Sequence, residues 1–497
     1  MTSQVPAQRI RPCNQAPVRA EGAYVVYWRI ANRRIRYNYS LQRAIEWSRE
    51  LGKPLVILDA LRCDYPWASE RLHSFLLASI RDTAGALDGL PVTHYPYVEQ
   101  REGDGRGLLE ALAASSMTGA GAAVVVTDDY PAFMMPHMIA AAAHRLAVRL
   151  ECVDSNGILP MRDTERVYSR AHDFRRYMHA TLVEQLGQMP ASNPLAGLDL
   201  VRLKRLPPAI TARWTVATSE LLAAPAHILA ALPIDHGVLA VAGTPGGEAA
   251  AGARLRAFLD TRPASYHAQR NDPSEETTSG LSPYLHFGNI SAHEIVEAII
   301  AREGWTPDRI DPKKRGQRAG WWGMSPEAES FLDQLVTWRE VGFNMCALHP
   351  GYDRYESLPV WALQTLGAHD TDPREHRYTL EEFEAGLTHD PLWNAAQQQL
   401  VQCGTIHNYL RMLWGKKILH WSASSSEALE IMLELNNKYA LDGRDPNSYS
   451  GIFWVLGRYD RAWGPERAVF GKVRYMSSES TARKYRTADY VRRYTPG

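Results

Sequence analysis

"AYVVYWRIANRRIRYNYSLQRAIEWSRELGKPLVILDAL" runs from Ala23 to Leu61. Its ends, "AYVVYW" and "PLVILDAL", are short apolar runs rich in β-branched and aromatic residues. Between them "LQRAIEWSREL" carries apolar residues at helical spacing. The reading is strand, helix, strand. The pattern continues with the helical "SERLHSFLLASIRDTAGAL" and three further strands, "PVTHYPYV", "AAVVVTDD" and "RLECVDSN". Such alternation predicts a parallel, doubly wound α/β sheet. No GxGxxG follows the first strand, which argues against a tightly held dinucleotide there. Ligands of these sheets sit beyond the carboxyl ends of the strands, so a looser site stays open.

The chain has 497 residues, enough for two or three domains. Its 55 Lys and Arg balance 55 Asp and Glu, so net charge indicates no partner. Charge is uneven, however: ten Lys/Arg face four Asp/Glu from Trp454 to Gly497, and "DPKKRGQR" is a second basic knot. Local patches of this kind bind phosphates even on a neutral protein, although most charge runs are solvated faces. The five cysteines are scattered, with no CxxC. That argues against a zinc site, an iron–sulfur cluster or a disulfide, and suits a reducing cytoplasm. No apolar run approaches the ~20 residues that span a bilayer. Residues 1–22 lack a signal-peptide core and read as a loose tail.

The α/β domain is expected over residues 23–157. A connector over 158–252 holds the basic amphipathic "ERVYSRAHDFRRYMHATLVEQL" and stretches rich in Pro, Ala and Gly. Residues 253–497 read as a helical domain, with ten of the fourteen tryptophans beyond Gly304. Three parts of it carry chemistry. Thr277, Thr278, Ser279 and Ser282 precede a helix that Pro283 can start. Hydroxyls and backbone N–H groups there make an anion site, although capping by Ser282 alone explains them too. "ESFLDQLVTWREVGFNMCALHP" sets Gln334, Trp338 and Arg339 within about one turn. "TIHNYLRMLWGKKILHW" puts Trp414 and Trp421 two turns apart on one face, roughly 10 Å along the axis. Core packing explains such a pair, and so does an electron relay. Asp442, in the polar turn "LDGRDPN", can pair with a buried arginine.

"LSPYLHFGNIS", "LWNAAQ", "HNYLRMLWGKKILHW", "LDGRDPN" and "FGKVRYM" resemble the photolyase/cryptochrome family, above all its class II cyclobutane-pyrimidine-dimer (CPD) photolyases. The resemblance is continuous from about Tyr266 to Met476, and the N-terminal sheet fits that family's antenna domain. It implies non-covalent FAD, active as the reduced anion, in a helical domain. It also implies an antenna chromophore, deazaflavin or folate, in the N-terminal domain, and light-driven repair of UV-damaged DNA by a monomer. No metal or membrane is involved. The compartment is the cytoplasm, at the nucleoid of a bacterium, or the nucleus of a eukaryote.

Residue by residue, Tyr266, Thr278, Ser279, Gly280, Leu281 and Ser282 resemble the flavin's phosphate and ribityl contacts. Asn408 lies along the flavin, Arg411 and Asp442 look like the salt bridge beside its ring, and Asn436 resembles the asparagine facing flavin N5. Trp414, Trp393 and Trp421 match the class II photoreduction chain. Trp338, Met412 and Trp454 match residues that hold the extruded dimer, and Lys472 and Arg474 would grip DNA phosphates.

At Gln334 the chain departs from the family, most of which has a glutamate that hydrogen-bonds the damaged bases. Glutamine keeps both hydrogen-bonding capacities but carries no charge and supplies no proton. That departure keeps a cryptochrome-like photoreceptor as the alternative. Trp338, Met412 and Trp454, with no long extension after Met476, weigh against it. The single His407 in "TIHNYLRM" weighs against a (6-4) photolyase, and the sparse cysteines weigh against the iron–sulfur type.

Overall fold

The computed structural model describes residues 4–114, 121–224, 226–261, 263–275 and 277–495. They divide into two units. The first comprises Met1–Thr164, Thr181–Arg256 and Gly280–Trp305; the second comprises Glu165–Ala180, Ala257–Ser279 and Thr306–Gly497.

The first unit is built on a six-stranded sheet of β1 (Ile10–Pro12), β2 (Tyr24–Trp28), β3 (Leu55–Leu61), β4 (Thr93–Val98), β5 (Ala122–Asp128) and β6 (Leu150–Val153). Its order is β1-β6-β5-β2-β3-β4. Every neighbouring pair is parallel except β1–β6, which is antiparallel. All residues of β2 and β5 are buried, as expected of largely apolar strands covered on both faces. Helix α1 (Tyr39–Leu51) starts on Asn38, whose side chain accepts from the Leu41 N–H, and stops at Gly52, φ +62°. Helix α2 (Glu70–Leu87) starts on Ser69 in the same way.

The strand order reverses between β2 and β5, and there a buried carboxylate fixes the chain. Asp128 Oδ2 accepts from the backbone N–H groups of Ile30, Ala31 and Asn32 at 3.0, 2.8 and 3.0 Å. Its Oδ1 accepts from the Tyr27 hydroxyl and the Asn32 amide. Beside it Arg29 and His94 both reach Asp59. Burial by itself would raise the Asp59 carboxyl, but the Arg29 guanidinium overrides it and holds the group well below the ordinary carboxylate range.

Three expectations are corrected. Residues 1–22 are not wholly a loose tail, because Ile10–Pro12 adds an edge strand, with Arg11 opposite Cys152. Next to that pairing Cys13 and Cys152 form a disulfide across 139 positions, where the sequence reading argues against one. Cys63, Cys346 and Cys403 are free. The stretch 158–252 is not one connector. Arg175 pairs with Asp333 at 2.8 Å, and the Asn344 amide bonds both Tyr168 N and Arg166 O, which draws Glu165–Ala180 into the second unit. Residues 280–305 belong instead to the first, where Asn289 Oδ1 accepts from Ser79 and Gly247, and Phe287 packs on Phe75 at 4.9 Å.

The second unit is helical. A π-helical turn, Asp333–Trp338, runs into α3 (Arg339–Leu348). Then come α4 (Pro391–Cys403), α5 (Asn408–Trp421), α6 (Ser425–Tyr439) and α7 (Pro446–Val455). Gly415 is the point of closest approach in α5. A Cβ there would lie 2.6 Å from a Val455 methyl and 2.9 Å from the Met432 sulfur. The next residue, Lys416, is 1% exposed and donates to the Val455 carbonyl. Burial lowers its pKa from 10.5 to about 7. Among the described residues no helix is long and apolar enough to cross a membrane.

Two outcomes follow. Gly415→Ala pushes a methyl against a stiff β-branched neighbour and should cost about 1–3 kcal/mol, read as a lower urea midpoint. For Lys416 the folded pKa is depressed, so the unfolded chain binds more protons between pH 7 and 10.5. Stability should therefore rise with pH across that window, and Lys416→Met should flatten the rise; urea midpoints taken through the window check it.

Candidate active site

The helical unit brings three tryptophans together. Trp414 and Trp393 are parallel within 3°, with ring centroids 6.4 Å apart. Trp393 and Trp421 follow at 6.1 Å, tilted by 71°. Trp393, from α4, thus lies between the two rings that α5 sets two turns apart. Asp390 positions it by accepting from the Leu392 and Trp393 N–H groups at the start of α4. Its indole N–H donates to the Trp414 carbonyl at 3.0 Å, and the Trp414 indole N–H donates to Gln397 at 2.9 Å. Gln397 was not singled out in the sequence, although "LWNAAQ" contains it. All three rings are at most 2% exposed.

One turn before Trp414, Arg411 pairs with Asp442 at 3.0 and 3.3 Å. Gly443, next to Asp442, lies against the Asn436 carbonyl, where a Cβ would come within 2.8 Å. Asn436 is 1% exposed, and its amide donates to Ser448 at 2.8 Å. Among the described residues its Oδ1 has no hydrogen-bond partner, and neither has the buried Arg411 Nε. Buried polar atoms are nearly always satisfied, so these two leave an acceptor and a donor that a bound group could meet. Asn408 is exposed in the first turn of α5, and Met412 is half-buried one turn later on the same face as Asn408.

Trp338 and Trp454 stack on each other at 4.6 Å and 17°. Trp338 ends the π-helical turn that also carries the half-buried Gln334. Turns of that kind widen a helix and recur at functional sites. Lys472 and Arg474 are both exposed, and the Arg474 guanidinium lies over Trp463 at 5.3 Å. Tyr266 is buried between Phe258 and Phe331, and burial raises its pKa.

The predicted phosphate segment divides. Thr278 and Ser279 belong to the second unit, Gly280, Leu281 and Ser282 to the first. Ser282 is the first residue of the short helix Ser282–His286, which no side chain caps, so capping does not explain its hydroxyl. The buried Thr277 Oγ1 has no partner among the described residues. Gly280 takes φ +66°, and a Cβ there would meet the Arg254 guanidinium at 2.4 Å. Arg254 is a cation that sequence reading missed, since only the tertiary structure sets it against that glycine.

The first unit has its own cavity, of about 500 Å³. Trp28, Leu61, Arg62, Tyr97 and Glu99, at or just beyond the carboxyl ends of β2, β3 and β4, line one side of it; Arg106 and His137 are among the others. This is where an open parallel sheet takes ligands.

No family model matches the chain. It is 34% identical over 493 residues to the deoxyribodipyrimidine photo-lyase of Methanothermobacter thermautotrophicus, with 98% of each chain covered. It is 31% identical over 482 residues to that of Arabidopsis thaliana, covering 94% of this chain and 88% of the other. Among solved structures, a class III photolyase from Agrobacterium tumefaciens matches with a TM-score of 0.67 at 18% identity, over 95% of this chain and 86% of that one. An archaeal photolyase from Sulfolobus tokodaii matches with 0.61 at 13%, over 95% and 90%. The structures share the fold; the full-length identity to the two enzymes goes further, and the chain belongs to the photolyase family.

Proposed function

We propose that this chain repairs UV-damaged DNA under light, acting on cyclobutane pyrimidine dimers in the class II manner with FAD. The observation that carries the reading is the buried Asn436 Oδ1 left without a partner beside the Arg411–Asp442 pair and one turn from Trp414. The residues fit the cofactor. A carbonyl oxygen can only accept, which suits the N5–H of a reduced flavin, and the unused Arg411 Nε–H can only donate. Bound as the reduced anion, FAD supplies an excited electron that splits the dimer and then returns.

The rest falls to the chain's own residues. A dimer inside a duplex cannot reach a buried cofactor, so it must be flipped out, at a cost of a few kcal/mol. Trp338 and Trp454 offer aromatic faces to the extruded bases. Stacked on each other they leave no room for a base between, so the lesion must part them and offer each a new partner. Met412 adds an apolar contact. Gln334 donates to and accepts from the base edges but holds no proton for the dimer radical. Exposed Lys472 and Arg474 take phosphates. Trp414, Trp393 and Trp421 return the cofactor to its reduced state by passing electrons inward. In the first unit, we assign an antenna pigment to the cavity at the carboxyl ends of β2, β3 and β4, where Arg62 and Arg106 suit an anionic ligand.

A blue-light assay on a thymine-dimer oligonucleotide tests the function. The purified yellow or blue protein should restore intact thymines in light and not in darkness; no repair by flavin-loaded, chemically reduced protein would refute it. Trp454→Ala should weaken dark binding of dimer-containing duplex by about 1–3 kcal/mol and leave undamaged duplex almost unaffected. Titrations on both duplexes decide, because equal losses would move Trp454 out of the lesion pocket.

A further inference from the structure

We propose that His369 is a positioning residue for DNA binding: as the imidazolium it pins the turn over residues 466–472, and losing its proton releases that turn and the cations it carries. This rests on the reading that Lys472 and Arg474 take DNA phosphates.

His369 ends the helix Val360–His369, and its two ring nitrogens face two carboxylates. Nδ1 lies 2.6 Å from Asp372 Oδ2, and Nε2 lies 3.1 Å from Glu466 Oε1. A carboxylate only accepts and a neutral imidazole has one N–H, so only the imidazolium satisfies both. These bonds, the one to Asp372 first, hold the His369 pKa above its ordinary value, and a helix C-terminus favours a cation as well. The other charged groups nearby are Arg374, which donates to the Asp372 carbonyl at 3.0 Å, and Lys472, close to Glu466. Asp370 turns its carboxylate away, to the Ser425 N–H.

The turn hangs on the same groups. Arg467 and Gly471 exchange both backbone hydrogen bonds, and between them Val469 takes φ +66°, an unfavourable setting for a β-branched residue. The Val469 N–H is held by Asp372 Oδ2 at 2.9 Å, the oxygen that His369 also engages. The Lys472 N–H donates to Thr365 Oγ1 at 2.9 Å, and the Lys472 carbonyl accepts from Trp463 at 2.8 Å. On deprotonation the imidazole keeps the shorter bond, to Asp372, and turns a lone pair on Nε2 toward Glu466. The Glu466 side chain, 49% exposed, then moves to water and frees one side of the turn. The DNA-bound state holds the proton. Affinity is therefore full below the pKa and declines above it, in a window beyond the ordinary 6.5, by at most about tenfold per pH unit.

Fluorescence anisotropy of a dimer-containing duplex with the FAD-loaded protein, in darkness at constant ionic strength, tests this from pH 6 to pH 9. Wild-type affinity should be level at the acid end and fall by about three- to tenfold by pH 9. His369→Gln should bind more weakly at pH 6 and lack that fall; titration of Lys416, common to both proteins, cancels in the comparison. Glu466→Gln separates a pin from a simple loss of positive charge. Its amide can accept from the imidazolium or donate to the neutral ring, so the pin predicts that the fall shrinks, whereas a charge effect leaves it intact. Thermal midpoints at pH 6 show whether the variants fold, and if His369→Gln does not, Glu466→Gln decides alone. A His369→Gln profile parallel to the wild type, or an undiminished fall in Glu466→Gln, overturns the proposal. Lys472→Ala at pH 6 tests the reading beneath it. Unchanged affinity there sinks the phosphate grip itself; a loss there, with His369→Gln parallel to the wild type, sinks only the pin.

Discussion

A buried indole N–H has to find an acceptor, and in the helical unit two such groups settle how α4 and α5 meet. Trp393 donates to the backbone carbonyl of Trp414, and Trp414 donates to the side chain of Gln397, which sits on the helix that carries Trp393. The two bonds cross between the helices. A slip of one residue in either helix would break both and leave two polar groups without partners in an apolar interior, each costing about 1–3 kcal/mol. The register they fix makes the two rings parallel.

Two buried side-chain oxygens are treated in opposite ways, one at Asp128 and one at Asn436. In the sheet, Asp128 uses both carboxylate oxygens on five donors, and the chain leaving β2 is held rigid as a result. In the helical unit, Asn436 and Thr277 keep buried oxygens that have no partner among the described residues. A completed set is scaffold. An incomplete one costs stability and persists where a bound molecule completes it.

Much of this was legible in the sequence, and the failures share one cause. The central strands were plain because strands buried on both faces are apolar throughout, and α5 was plain because its polar and aromatic residues repeat at helical spacing. The edge strand Ile10–Pro12 was not legible. Three residues with a proline carry no periodicity, and the pairing that forms the strand comes from Leu150–Val153, far along the chain. The Cys13–Cys152 bond follows from that pairing and was hidden with it. The connector was misplaced for a similar reason, since what divides it is an ion pair to Asp333 and an amide of Asn344. Spacing within one helix gave the distance from Trp414 to Trp421 but not the ring between them, because Trp393 arrives on another helix. Only the family resemblance had named it. Arg254 shows the limit most clearly, since no pattern in the sequence relates it to Gly280.

Under the proposed function, the stack of Trp338 on Trp454 would set a threshold for entry of the lesion. An ordinary base would have to leave two stable stacks at once, its own in the duplex and the one between the indoles, for a single pair of new contacts. A dimer is already poorly stacked and presents two rings together, so it gives up less and offers a face to each indole. The pocket's default occupant is therefore the protein itself. On that reading undamaged DNA would be rejected by competition rather than by a clash, and the filter would act before any photon arrives.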